Sequence, residues 1–298
     1  MGNQFEITII ADDDDFARQV IALAYEEIAR IENKFTTYNS GSETFLVNEN
    51  AGIAPVKVSE EFISIVKRAE KISALTSGYF DLSYGSLDKS LWNFDQKMLA
   101  LPTPSIAASL VQKINYKNII VDEINATVFL KEKGMRIGFG GIGKGYAADR
   151  AAQILKEHQV ENALVNASGD IIAWGNAAGS TNGWAVGIGH PDLKQQPYST
   201  LNLKNKAIAT SGNYEKFVMI DGQKYSHTIN PKTGLPVMGL KSVTIITASA
   251  ELADALATPV TIMGKYAGLD FINQMNHIDC LIIDDDNKLH ASKNIQLT

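Results

Sequence analysis

Phe5, Ile7 and Ile9 alternate with Glu6 and Thr8, the period of a strand with one face buried. The acidic run from Asp12 to Asp15 follows, and its side chains suit the start of a helix, where unpaired N–H groups favour negative charge. Phe16, Val20, Ala24, Ile28, Ile31 and Phe35 then recur at spacings of three and four, which gives one apolar helix face. A metal site made of the acidic run is the alternative, and a solvated cap is the simpler reading. Ser59 is expected to cap a second helix with Phe62, Val66 and Ala69 inward, ending near Thr76-Ser77-Gly78. Residues 93–105 carry two prolines and little periodicity, and predict a loop or a connection between lobes.

Beyond this stretch the pattern changes to short strands and glycine-rich turns, interrupted by helices near Tyr146–His158, Leu252–Met263 and Tyr266–Met275. Phe217 to Ile220, Asp221-Gly222 and Gln223 to His227 form a hairpin, because Asp-Gly accepts the positive φ of a tight turn. Hairpins mixed with helices predict an α+β fold of mixed or antiparallel sheets with packed helices, not a regular βαβ array. The 298 residues form one domain in this reading, with two lobes as an option.

Composition narrows the function classes. With 45% apolar and 20% charged residues the chain is an ordinary globular protein, and a net charge of −6 argues against a nucleic-acid binder. No run approaches the roughly 20 apolar residues that span a bilayer, so the chain is expected to be soluble. Cys280 is the only cysteine, which excludes an internal disulfide, and its apolar neighbours Leu281, Ile282 and Ile283 suggest a core thiol.

The densest chemistry lies between Arg136 and Gly145, read as a short strand that enters a glycine turn before a helix opening at Tyr146. Such a turn lets backbone N–H groups approach phosphate oxygens. Gly138, Gly140 and Gly143 fit G-x-G-x-x-G, but the strand from Asn162 to Val165 ends in Asn166, not in an acidic residue for a ribose. Gly138 to Lys144 fits G-x-x-x-x-G-K, but Gly145 stands where a Ser or Thr should meet Mg2+. A turn needed only for packing is the third reading.

Two further groups stand out. Asp254 and Thr258 are four apart on one helix face and offer oxygen ligands to a hard cation such as Mg2+. The bland alternative makes Asp254 an exposed residue near a helix start, contributing little to the core. His227 leaves the hairpin into the turn Asn230-Pro231-Lys232-Thr233-Gly234 and is placed to orient or move a proton, unless it is structural. His158, His190, His277 and His290 have no chemical neighbours in the sequence. The turns Asn166 to Asp170 and Ala209 to Tyr214 are small and donor-rich, and suit close ligand approach.

Taken in order, these segments resemble the FAD:protein FMN transferases, the ApbE family, from Met1 to about Gly264. The resemblance is carried by Ser77-Gly78-Tyr79-Phe80-Asp81, GGIGKGYAAD from Gly140, SGNY from Ser211, HTINPKTGLPV from His227 and ADALAT from Ala253. It implies that FMN passes from FAD to a Thr or Ser hydroxyl of an acceptor protein, with Mg2+ on the diphosphate and AMP leaving. It assigns the metal to the Gly141 carbonyl, Asp254 and Thr258, and the flavin nucleotide to Met1, Tyr38, Tyr79, Phe80, Asp81, Thr228 and Ile229. Lys144 then meets the diphosphate, and His227 assists proton removal with Asp254 able to share that work.

At Gly138 the family commonly has an Asp that contacts the nucleotide, so weaker FAD binding is expected here. The acceptors implied are redox-complex subunits such as those of Na+-translocating NADH:quinone oxidoreductase. The family usually works on the periplasmic side of the inner membrane as a lipid-anchored protein, so an export segment is expected to be missing from this chain. Two rivals remain at this point: hydrolysis of FAD to FMN and AMP, and a non-catalytic FAD-storage lipoprotein.

Overall fold

The computed structural model describes residues 4–88, 90, 92, 100–189, 197–212 and 217–295. In chain order the first elements are β1 (Phe5–Ile9), α1 (Asp14–Phe35), α2 (Glu43–Glu49), β2 (Val56–Lys57), α3 (Glu60–Leu75) and α4 (Pro104–Leu110). Next come β3 (Ile119–Asp122), β4 (Thr127–Leu130), α5 (Gly143–Glu157), β5 (Ala163–Ala167), β6 (Asp170–Trp174) and β7 (Trp184–Gly189). Then follow β8 (Pro197–Leu203), β9 (Lys206–Gly212), β10 (Phe217–Ile220), β11 (Gln223–Ser226) and β12 (Leu240–Thr247). The chain closes with α6 (Ala250–Met263), α7 (Lys265–Asn273), β13 (Asp279–Asp284) and β14 (Leu289–Ala291). No helix among the described residues is long and apolar enough to cross a membrane.

The chain clusters into two compact units. One contains Met1–Glu32, Ile142–Tyr214 and Gly239–Thr298, and the other Asn33–Gly141 and Glu215–Met238. The expected connection near 93–105 therefore falls inside the second unit, with 93–99 outside the described residues. Within 100–105 the two prolines are explained in part: Thr103 caps α4 and Pro104 fills its first turn, where a missing N–H costs nothing.

The first unit is built on a sheet of order β1-β5-β6-β9-β12-β13-β14, antiparallel at every neighbouring pair. Its central strands are covered on both faces. Ile172 and Trp174 of β6 pack with Val20, Ala24 and Ile28 of α1 and with Ala148, Ala151 and Leu155 of α5. Ile171 and Ala173 point the other way, into a cluster with Trp184, Val186 and Ile188 of β7 and Leu203 of β8. Every residue of β6 is buried in consequence, so its sequence shows a continuous apolar run after Asp170 and no alternation. Cys280 is fully buried in β13, and that burial pushes its thiol up to about 12.

The second unit holds the small sheet β2-β4-β3, the helices α2, α3 and α4, and the hairpin β10–β11. Ser59 caps α3 as its sequence position predicts, accepting from the Phe62 N–H at 3.3 Å. Phe62 then joins Phe35 and Phe139 in an aromatic cluster with ring centres 4.8–5.6 Å apart. Both central residues of the hairpin turn, Asp221 and Gly222, have positive φ (51° and 78°), as the Asp-Gly pair predicts.

Candidate active site

Residues 136–139 do not form the strand expected from the sequence; among the described residues they pair with no strand. A side chain takes the place of a neighbouring strand. Asn48 of α2, itself buried, accepts from the Ile137 N–H at 2.7 Å and donates to the Ile137 carbonyl at 3.0 Å. The Gly138 N–H donates to the Leu82 carbonyl, and Ser86 Oγ bridges the Arg136 backbone. Residues 136 to 138 thus find backbone partners without a ladder, and the glycine turn follows them.

The glycines of that turn meet different constraints. A methyl group added at Gly138 or Gly140 would touch nothing within 4 Å, and one at Gly141 would make only ordinary contact with the Phe80 ring. None of the three has positive φ. The protein's own packing and backbone therefore do not demand glycine at 138 or 140. Gly145 is the opposite case: a Cβ there would overlap the Ala250 carbonyl where α5 and α6 touch. The residue that breaks the nucleotide-triphosphatase pattern is a glycine because two helix ends meet at it.

Helix α5 begins at Gly143, three residues before the predicted start, so Lys144 and Gly145 lie in its first turn. Its cap residue Ile142 offers no side-chain acceptor. A carboxylate from α6 does so instead: Asp254 accepts from the Gly145 N–H at 3.1 Å. Asp254 is buried, 6% exposed, so the reading of it as an exposed helix-surface residue is not met. Its other oxygen accepts from Lys144 Nζ at 3.1 Å, and the same ammonium donates to Asp170 at 2.5 Å. One ammonium thus serves two buried carboxylates. Burial first, and then the Asp254 carboxylate, raise Asp170 to about 7 against the opposing pull of Lys144. Burial alone would lower Lys144, but the two carboxylates outweigh it and hold the ammonium above the ordinary lysine range. Thr258 stands one turn after Asp254 on α6, half-buried, and Pro259 follows it inside the helix.

Asp170 is the residue that sequence reasoning missed. It closes the turn Asn166 to Asp170, which the sequence marks only as small and donor-rich, and nothing local shows that the first residue of β6 will be buried beside Lys144. Its acidic side chain heading an otherwise apolar strand was the available signal.

In the second unit Tyr79, Phe80 and Asp81 follow α3 on a turn with positive φ at Ser77 and Gly78. Phe80 is buried, whereas Tyr79 is half-buried with Lys232 Nζ 3.9 Å from its ring centre. Both Asp81 oxygens are engaged, one by the Ser83 N–H and hydroxyl and the other by the Tyr116 N–H. Burial raises the Asp81 carboxyl against the pull of those bonds. Thr228 and Ile229 are buried, and the Ile229 N–H donates to the Tyr84 hydroxyl at 3.2 Å. Burial pushes that Tyr84 phenol up to about 12. His227, beside them, is exposed. Tyr38 stands 95% exposed on the bend after α1. Met1, Asn213 and Tyr214 lie outside the described residues.

The structure therefore brings Lys144, Asp254 and, one helical turn on, Thr258 together in the first unit, with Asp170 added. It groups Tyr79, Phe80 and Asp81, and separately His227, Thr228 and Ile229, in the second unit. A hard divalent cation fits the first group, because two buried carboxylates share a single ammonium and each retains free lone pairs. No group of three or more His, Cys, Asp or Glu able to hold a metal occurs among the described residues, so such a cation would draw on hydroxyl or carbonyl oxygens as well.

The chain is similar to several known proteins. A protein from Klebsiella pneumoniae named FAD:protein FMN transferase is 28% identical over 285 residues, covering 95% of this chain and 86% of the relative. One of the same name from Treponema pallidum is 31% identical over 263 residues, covering 84% and 72%. Among solved structures, the ApbE protein of Thermotoga maritima superposes with a TM-score of 0.85 at 33% identity, covering 98% of this chain and 94% of that one. The flavin transferase ApbE of Vibrio cholerae does so with a TM-score of 0.82 at 28% identity, over 98% and 94%. The ApbE family model matches residues 1–282, and the chain belongs to the ApbE family.

Proposed function

We propose that this protein transfers the FMN part of FAD to the hydroxyl of a Thr or Ser on an acceptor protein and releases AMP. The observation that carries the reading is the Lys144–Asp170–Asp254 group at the start of α5, with both carboxylates buried, in a chain whose relatives are named FAD:protein FMN transferase. In the step itself, the acceptor oxygen bonds to the FMN-side phosphorus, the bond from that phosphorus to the bridging oxygen breaks, and AMP leaves with that oxygen. The hydroxyl proton passes to His227, an exposed residue, with Asp254 as the alternative acceptor.

Asp254 and Thr258 hold Mg2+ in this proposal, and Gly141, the residue just before Ile142 in the chain, contributes its carbonyl. The cation supplies charge neutralisation at the diphosphate. Lys144 meets the same negative charge, and phosphoryl transfer depends mainly on such positioning and electrostatics. Tyr38, Tyr79 and Phe80 offer aromatic faces to the flavin or adenine ring. Asp81 acts by fixing its turn through Ser83 and Tyr116. The open space beside Gly138 and Gly140 leaves backbone accessible to a nucleotide. The acceptors we propose are redox-complex subunits such as those of Na+-translocating NADH:quinone oxidoreductase, met by a lipid-anchored enzyme on the periplasmic side of the membrane.

The test is incubation with FAD and an acceptor domain, with either Mg2+ or excess chelator, followed by chromatography of the nucleotides and in-gel flavin fluorescence of the acceptor. AMP and a fluorescent acceptor only with Mg2+ are expected. FMN and AMP without a labelled acceptor would replace the proposal with hydrolysis, and no AMP at all would leave FAD storage.

A further inference from the structure

Helices α5 and α6 cap each other. Asp254 of α6 takes the Gly145 N–H of α5, and Asp149 of α5 returns the contact at the start of α6. One Asp149 oxygen accepts from the Ala250 N–H at 2.9 Å, and the other from the Ser249 hydroxyl at 2.7 Å and the Glu251 N–H at 3.0 Å. Asp149 lies four residues after Gly145, and Asp254 four residues after Ala250, so each carboxylate stands one turn inside its own helix. Between the two caps, Gly145 and Ala250 touch backbone to backbone. No apolar contact can substitute for these bonds, because a helix start has N–H groups with no partner of their own.

We infer that Asp149 is a positioning residue for the reaction: by fixing the first turn of α6 against α5, it fixes where the Asp254 carboxylate points. This rests on the proposed role of Asp254 toward Mg2+. Asp149 itself binds neither cation nor nucleotide. Ser249 supports it twice, through its bond to Asp149 and as the cap of α6, where it accepts from the Leu252 N–H at 3.2 Å. Losing Asp149 leaves three donors at the start of α6 without their acceptor. The helix is then free to shift on α5, and Asp254 shifts with it.

Asp149→Asn is the informative variant. It keeps the side-chain shape but turns one acceptor into an amide that, in either orientation, faces at least one donor. Calorimetric titration with Mg2+, in the presence of FAD and without an acceptor protein, reads the effect directly. Outer partners that orient a metal ligand typically contribute about 10- to 100-fold in metal affinity, so Asp149→Asn should raise the Mg2+ dissociation constant by about that factor. In an Asp254→Ala background the same change should produce no further weakening, because the ligand it positions is gone. A lower melting temperature with an unchanged Mg2+ dissociation constant would make Asp149 a structural cap only and overturn the inference. Should Asp149→Asn not fold, Ser249→Ala removes one of the three bonds to Asp149 together with the cap to the Leu252 N–H, and should weaken Mg2+ in the same direction by less. No change there would overturn the inference equally. A wild-type protein that takes up no Mg2+ overturns the cation reading itself, and this inference with it.

Discussion

A methyl group at Gly145 would overlap the Ala250 carbonyl, whereas one at Gly138 would meet nothing within 4 Å, although both glycines belong to one glycine-rich stretch of sequence. The two positions answer to different forces, and two substitutions separate them. Gly145→Ala must push α5 away from α6, since backbone on the other side cannot rotate clear. Overpacking of this kind costs about 1–3 kcal/mol, and urea unfolding should show a loss in that range. Gly138→Asp is expected to leave stability unchanged, because the backbone at 138 is not in the left-handed region and the space is open. If an acidic side chain there reaches the nucleotide, one added hydrogen bond is worth about 0.5–1.5 kcal/mol. FAD should then bind several-fold more tightly by calorimetry at fixed Mg2+. Equal affinity in the folded variant would mean that position 138 does not face the ligand.

Helices and strands show where the sequence was readable and where it was not. The long apolar face of α1, the Ser59 cap of α3 and the Asp221-Gly222 hairpin depend on residues near one another in the chain, so period and cap chemistry identify them. The segment 136–139 reads as a short strand in the sequence, yet its backbone partner is the Asn48 side chain, 89 positions earlier than Ile137. No local pattern encodes such a clamp. Asn48→Ala should accordingly cost more than a surface change. It leaves a buried N–H and a buried carbonyl unmet, each worth about 1–3 kcal/mol, and urea denaturation should show a loss of at least one such penalty. A change under about 0.5 kcal/mol would mean that the segment finds other partners. The carboxylates of the candidate site divide along the same line. Asp254 was legible through its spacing to Thr258, but its burial was not, because that depends on α5. Asp170 and Asp149 acquire their roles only from side chains and helix ends far off in the sequence.

At the scale of the molecule, the candidate machinery is distributed over two compact units, each with its own core. The stability of the first unit depends on charge as well as on apolar packing. Asp284 at the end of β13 accepts from His290 at 2.7 Å, from Lys265 at 3.0 Å and from the Asp286 and Lys288 N–H groups. Burial alone would raise its carboxyl, but these bonds hold it well below the usual carboxylate range. A depressed carboxylate stabilises the fold fully above its unfolded value of about 4 and loses that contribution as pH falls toward the folded value. Asp284→Asn should therefore lower the melting temperature at pH 7, with the difference from wild type shrinking below about pH 4. A difference independent of pH would assign the loss to packing.

The central claim is covalent transfer of FMN, and the mass of the acceptor tests it most directly. Purified protein, FAD, Mg2+ and an acceptor domain with a single reactive Thr would be incubated together, and the acceptor would be read by intact mass spectrometry. The account predicts that the acceptor gains one FMN less one water, with one AMP released per modified chain. It also predicts no gain for an acceptor whose Thr is replaced by Val. An acceptor of unchanged mass, while FAD is consumed to FMN and AMP, would contradict it.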